Sequence, residues 1–163
     1  MAKKGTTKYK SNKQEKEVAK LFGGKQVIAS GSLWFADSDV RNEKFLIECK
    51  TTEKDFYSLT SKVWEKIEDE AVKDHMRIPL MVIDLKDTIR TVVFNPKYLD
   101  DFGSHLTYGS NKSYRITSSM LGYNEYGDYI SSRFFKICGK RENVLCLMLL
   151  KDFEEQYKEE IYE

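Results

Sequence analysis

No uninterrupted apolar run in this chain exceeds seven residues, the stretch 144–150. Seven residues make one buried strand and fall far short of the ~18 that a membrane-crossing helix needs. The core must therefore be assembled from short strands and amphipathic helices, all inside one modest chain. At 163 residues the length fits a single domain, because domains usually run to ~100–200 residues. Hydrophobic residues make up 40%, against only 9 Gly and 2 Pro, which excludes a disordered or fibrous class. The three cysteines, at positions 49, 138 and 146, match neither a disulfide framework nor a zinc site. The start, Met1-Ala2-Lys3-Lys4-Gly5, has no apolar stretch of the secretory kind. The chain reads as soluble, reduced and cytoplasmic, with no membrane partner.

Read in order, residues 1–11 form a flexible basic arm, and a domain at 12–163 follows. Ser11 with Gln14 resembles a capping box opening a helix that Gly23-Gly24 stops. Glu15 falls on the buried edge of that helix's stripe of Val18, Leu21 and Phe22, and Glu17 points further toward solvent. Residues 27–29 suit a short strand, and Ser30-Gly31-Ser32 a loop. Two strands at 34–41 and 44–50 form a hairpin. A helix is expected at 56–75, on the spacing of Leu59, Val63, Ile67 and Ala71. A hairpin at 78–85 and 88–94, a short helix at 96–102, loops at 103–111 and 122–127, a hairpin at 134–138 and 144–150, and a charged helix at 151–162 complete the chain. This order gives an α/β domain with a mixed central β-sheet flanked by helices.

The chemistry is concentrated around the strand 44–50. Side chains alternate along a strand, so Glu48 and Lys50 share one face and Cys49 takes the other. On the preceding strand Asp37 and Asp39 share a face. The hairpin can thus bring one Asp, one Glu and one Lys together. Two adjacent carboxylates repel each other, and a hard divalent cation removes that penalty. Mg²⁺ suits an oxygen-only set, with Mn²⁺ as a substitute. The neighbouring ammonium can hold a water or offset charge on a phosphate. Glu48-Cys49-Lys50 is the only Glu-x-Lys in the sequence. Its rival, Asp84-Leu85-Lys86, sits at a hairpin turn and reads as turn chemistry. The plainer alternative for the Asp, Glu and Lys set is the solvated face of an edge hairpin.

Taken with Glu15 and Ser30-Gly31-Ser32, these residues resemble the PD-(D/E)XK nuclease superfamily, most closely its Holliday junction resolvases from archaea and phages. The match covers residues 12 to about 75. It implies a restriction-endonuclease-like core, centred on about 12–100, and metal-dependent DNA cleavage at branched structures. Residue by residue, it implies metal ligation by Asp39, Glu48 and the Cys49 carbonyl, with Lys50 catalytic and Glu15 supporting the metal or its water. Ser30 or Ser32 would contact substrate phosphate, and Lys62 or Lys66 would supply a basic position. Ser38 stands where relatives often carry Pro or Gly, which keeps Asp37 open beside Asp39. The phage-like character implies action in a host cytoplasm. Two alternatives stay in view: a nuclease of this fold acting on linear DNA in restriction or repair, and a non-catalytic DNA-binding protein.

Charge adds a partner. The first 14 residues carry five lysines, Lys8, Lys10 and Lys13 among them, and no acid. Such a stretch can contact DNA phosphates through counterion release. A homodimer is expected, because a four-way junction offers two symmetry-related strands, and the strand 144–150 is the expected part of its interface. His75 and His105 lack partner spacing and read as surface residues. Cys49 reads as a core thiol. Tyr108, Tyr114, Tyr123, Tyr126 and Tyr129 read as packing and loop anchors, with base stacking the alternative.

Overall fold

Thr6, not Ser11, starts the first helix: its hydroxyl accepts the Tyr9 N–H at 3.2 Å, and α1 then runs over Thr7–Leu21. The expected arm therefore stops short of Thr7, and Lys8, Lys10 and Lys13 stand on the helix. Thr6 is itself a good capping residue, and Gln14 is occupied elsewhere, against the sheet. The computed structural model describes residues 5–26, 39–103 and 106–162. The expectations placed on Ser30, Ser32, Trp34, Asp37 and His105 fall outside those residues.

After α1 come β1 (Lys25–Gln26), β2 (Val40–Arg41), β3 (Phe45–Thr52) and β4 (Phe56–Thr60), then α2 (Ser61–Lys73). The helix expected from residue 56 thus begins five residues later. Phe56 and Tyr57 favour extended backbone, and the Thr60 hydroxyl caps α2 by accepting the Val63 N–H at 3.2 Å. Next are β5 (Ile78–Leu85) and β6 (Ile89–Phe94), a hairpin whose turn residues Lys86 and Asp87 both have positive φ. A short 3-10 turn at Pro96–Leu99 leads to β7 (Tyr108–Asn111) and β8 (Ser113–Thr117). They are followed by β9 (Gly122–Tyr123), β10 (Tyr129–Ile130), β11 (Ser132–Cys138), β12 (Glu142–Leu149), α3 (Leu150–Gln156) and α4 (Lys158–Tyr162). The loop expected at 103–111 is in part a strand, and Tyr157 splits the last helix.

Among the described residues, eight strands form one mixed sheet in the order β1-β2-β3-β5-β6-β12-β11-β7. β3 and β5 run parallel, as do β11 and β7, and the other pairs are antiparallel. One face carries Phe45, Ile47, Val82 and Phe94 against Val18 and Phe22 of α1 and Phe153 of α3. The other carries Leu46, Met81, Ile83 and Leu147 against Trp64, Ile67 and Ala71 of α2. Each large apolar side chain so buried contributes about 1.5–3 kcal/mol. No helix among the described residues is long and apolar enough to cross a membrane.

β12 lies inside the sheet, bonded to β6 on one edge and β11 on the other. Leu145 and Leu147 have no exposed surface. The expectation that this strand forms a subunit interface is overturned, since seven apolar residues in a row are explained by burial on both faces.

The edge that matters most is held by α1. Gln14 is 1% exposed, and its amide nitrogen donates to the Lys50 carbonyl at 2.8 Å and the Val82 carbonyl at 3.3 Å. Where α1 ends, the Asn42 amide donates to the Phe22 carbonyl at 2.9 Å. Gly24 passes so close to β2 that a Cβ there would sit 2.7 Å from the Arg41 carbonyl oxygen. Helix, β2 and β3 are thereby locked together.

Candidate active site

β2 pairs with β3 through Val40 and Arg41, and Asp39 immediately precedes β2. The Asp39 N–H donates to the Ile47 carbonyl at 3.1 Å. Its carboxylate Oδ2 also accepts the Cys49 N–H at 2.7 Å. This bond fixes the Asp39 carboxylate beside the part of β3 that carries Glu48 and Lys50. Those two share a face, as alternation requires, and the Lys50 ammonium lies 3.1 Å from Glu48 Oε1. Glu15, on α1, approaches from the other side of the edge. Its Oε2 accepts the Gln26 amide at 2.6 Å, and it lies close enough to Asp39 for the two charges to interact.

Electrostatics record how tightly the acids are placed. Burial pushes the Glu48 carboxyl up to about 7, and the Asp39 charge adds to it; Lys50 opposes both. Asp39 is also raised by burial, against the Cys49 N–H and Lys50, which favour its charged form. Glu15 is raised by burial and by Asp39, with the Gln26 bond opposing. For Lys50, burial works downward, but the Glu48 charge and hydrogen bond outweigh it and the net shift is upward. Burial also carries the Cys49 thiol well above its ordinary range, so it is an inert core group, as its face predicts.

The remaining sequence candidates divide. Glu17 pairs with Arg90 at 2.9 Å, away from Asp39. Asp84 faces Arg90 across the hairpin and holds it through two 2.8 Å bonds, a structural pair. Lys10 is engaged by Glu53 at 2.9 Å and Asp87 at 2.6 Å, and Lys13 lies 3.9 Å from Glu17. Lys8, Lys62 and Lys66 are exposed, with Lys66 3.9 Å from Glu70. His75 is on the surface. Tyr114 stacks on Phe135 at 4.2 Å, a packing role, while Tyr123 and Tyr126 are exposed.

Three neighbours were not anticipated. Gln14 fixes the backbone at Lys50; its spacing four before Val18 marks it as a buried polar residue on the apolar stripe. Glu70 of α2 and Tyr57 of β4 both lie within electrostatic reach of Glu48, brought there by packing that no local pattern reveals.

The donor set fits a hard dication. Two half-buried carboxylates, Asp39 and Glu48, lie close enough to interact, with one lysine, Lys50, paired to Glu48, which leaves negative charge uncompensated. Among the described residues no three Asp, Glu, His or Cys side chains form a complete ligand cluster.

One consequence is measurable without any substrate. Glu48 titrates near 7 in the folded chain and near 4.5 when unfolded, so the native state binds the extra proton between those values. Stability is then full below about pH 4.5 and declines as pH rises through 7. At about 1.4 kcal/mol per unit, the loss is at most about 3.5 kcal/mol. In chelator, Glu48→Gln should match the parent near pH 4 and melt distinctly higher at pH 8. Equal melting at both pH values would disprove the strained carboxylate.

No protein-family model and no curated protein sequence matches the chain. Among solved structures it is similar to Hjc, a Holliday junction resolvase of the archaeal hyperthermophile Archaeoglobus fulgidus. The TM-score is 0.45 and the identity 14%, over 69% of this chain and 88% of that one.

Proposed function

We propose that this protein is a metal-dependent DNA endonuclease that selects branched DNA, acting as a homodimer. The observation that carries the reading is the meeting of Glu15 of α1, Asp39 just before β2, and Glu48 and Lys50 of β3. A binding surface gains nothing from half-buried carboxylates facing a phosphate. A hydrolytic site does, because the acids hold the cation that phosphate chemistry needs.

In this reading Asp39, Glu48 and the Cys49 carbonyl hold Mg²⁺, or Mn²⁺ in its place. When bound, the cation would supply Lewis-acid stabilisation of the phosphoryl oxygens and make water a better nucleophile. Asp39 orients its free oxygen because the other is tied to the Cys49 N–H. Lys50 presents a positive charge to the phosphate as negative charge grows there. Glu15, held by Gln26 and close to Asp39, would accept a hydrogen bond from the attacking water. Ser30, Ser32, Lys62 and Lys66 contact the backbone of the DNA.

The test is direct. A four-way junction and a linear duplex are incubated with the protein, with and without Mg²⁺, and the oligomer is sized by sedimentation. Junction cleavage only with the metal, by a dimer, is the expected result. A monomer that cuts both substrates equally would leave a general nuclease, and binding without cleavage would leave a DNA-binding protein.

A further inference from the structure

Three residues after β3 ends at Thr52, the chain enters a two-stranded ribbon, β4 paired with β8 outside the main sheet. Its alternation is strict. Leu59 and Ile116 turn inward and are fully buried, joined by Tyr57 and Tyr114 in the core beneath. The Tyr57 hydroxyl, on that inner side, is near enough to Lys50 and Glu48 to feel both charges. The ribbon therefore lies over the face of the sheet from which Glu48 and Lys50 project.

The outer side has a different chemistry. Ser58 and Thr60 of β4 and Ser113 and Arg115 of β8 are exposed, with Ser58 opposite Arg115. The Arg115 guanidinium stacks on the Phe56 ring at 4.0 Å, and the Lys54 ammonium lies 5.4 Å from the same ring. Among the described residues Arg115 pairs with no carboxylate. The ring holds the guanidinium in place while Arg115 stays exposed. At the far end of the ribbon Lys112 is exposed, its carbonyl accepting the Ser61 N–H at 2.7 Å. From Phe56 to Thr60 the strand spans roughly 13 Å, at about 3.3 Å per residue, so positive charge is set at both ends of a narrow, neutral, hydroxyl-lined track. Two acids are near. Glu53 is already paired with Lys10, and Asp55 is exposed on the turn.

We propose that the outer face of this ribbon, through Lys54 and Arg115, with Lys112 exposed at its end, binds the sugar-phosphate backbone of double-stranded DNA. This rests on the nuclease reading above and adds the element that would guide the duplex toward the carboxylates. Fixed cations with hydroxyls between them suit evenly spaced phosphates. A ribbon of two strands is also narrow enough to lie along a groove. The contacts are to phosphate, so they give affinity and salt dependence with little base preference.

The experiment measures affinity for a labelled linear duplex in EDTA, over a salt series, so that no cleavage is involved. Arg115→Ala and Lys112→Ala are compared with Lys158→Ala, an exposed lysine of α4 far from the ribbon, after circular dichroism melts show that all are folded. Each ribbon variant is expected to weaken binding and to reduce the slope of log affinity against log salt by about 0.9, while Lys158→Ala changes neither. If the parent binds and cleaves, and the ribbon variants match Lys158→Ala, the ribbon proposal is wrong and the nuclease stands. If binding depends on the ribbon but Mg²⁺ elicits no cleavage of any DNA, the ribbon is upheld and the nuclease reading fails. A parent that does not bind DNA overturns both.

Discussion

Asp39→Asn and Glu48→Gln are each expected to abolish Mg²⁺-dependent cleavage, by a factor on the order of 10³ or more. That factor follows from several kcal/mol of metal-derived stabilisation at about 1.4 kcal/mol per tenfold. The substitutions are chosen so that only charge changes. The Asp39 carboxylate accepts the Cys49 N–H at 2.7 Å, and the amide oxygen of asparagine can accept the same bond. That bond is then preserved, whereas alanine would leave a buried N–H without an acceptor. Glutamine at position 48 keeps the shape of a half-buried side chain while removing a charge that burial already disfavours. DNA binding in Ca²⁺ or chelator should survive or tighten, because less negative charge faces the phosphate. Asp37→Asn, run alongside, separates the two aspartates that the sequence leaves open. Near-normal turnover in Asp39→Asn or Glu48→Gln would remove that residue from the site.

What the sequence disclosed is what local periodicity can encode. The pairing of Glu48 with Lys50 follows from two-residue alternation along β3, and the approach of Glu15 from its place on the α1 stripe. The turn at Lys86-Asp87 and the harmless role of Asp84 were equally local. Apart from the local shift of the first helix cap to Thr6, the failures below involve partners distant in the chain. Phe56–Thr60 is a strand because it pairs with residues 113–117, more than fifty positions away, although the spacing of Leu59 with Val63 suggested a helix. Gln14 looked like a cap because its true acceptors, the Lys50 and Val82 carbonyls, come from two later strands. The run 144–150 looked like an exposed seam until β6 and β11 were seen on either side of it. Composition could not distinguish an interface from an interior, since both are apolar.

Lys50→Ala should lower turnover on bound substrate by a factor on the order of 10²–10⁴, the range of a positioned acid–base group, with little change in affinity. Three features set the side chain for that role. Gln14 clamps its carbonyl, Glu48 holds its ammonium at 3.1 Å, and the side chain is still 41% exposed, so it can reach a phosphate in the groove. Truncation should cost little stability, because the pair it breaks is solvent-accessible on the lysine side. Lys50→Arg keeps the charge but replaces a compact ammonium with a broad planar fork, so it should restore only part of the rate. Single-turnover cleavage, measured beside affinity in chelator, separates the two possible roles of the residue. A variant that loses DNA affinity while cleaving bound substrate at the parental rate would make Lys50 a phosphate contact, and would leave Asp39 and Glu48 to carry the chemistry without it.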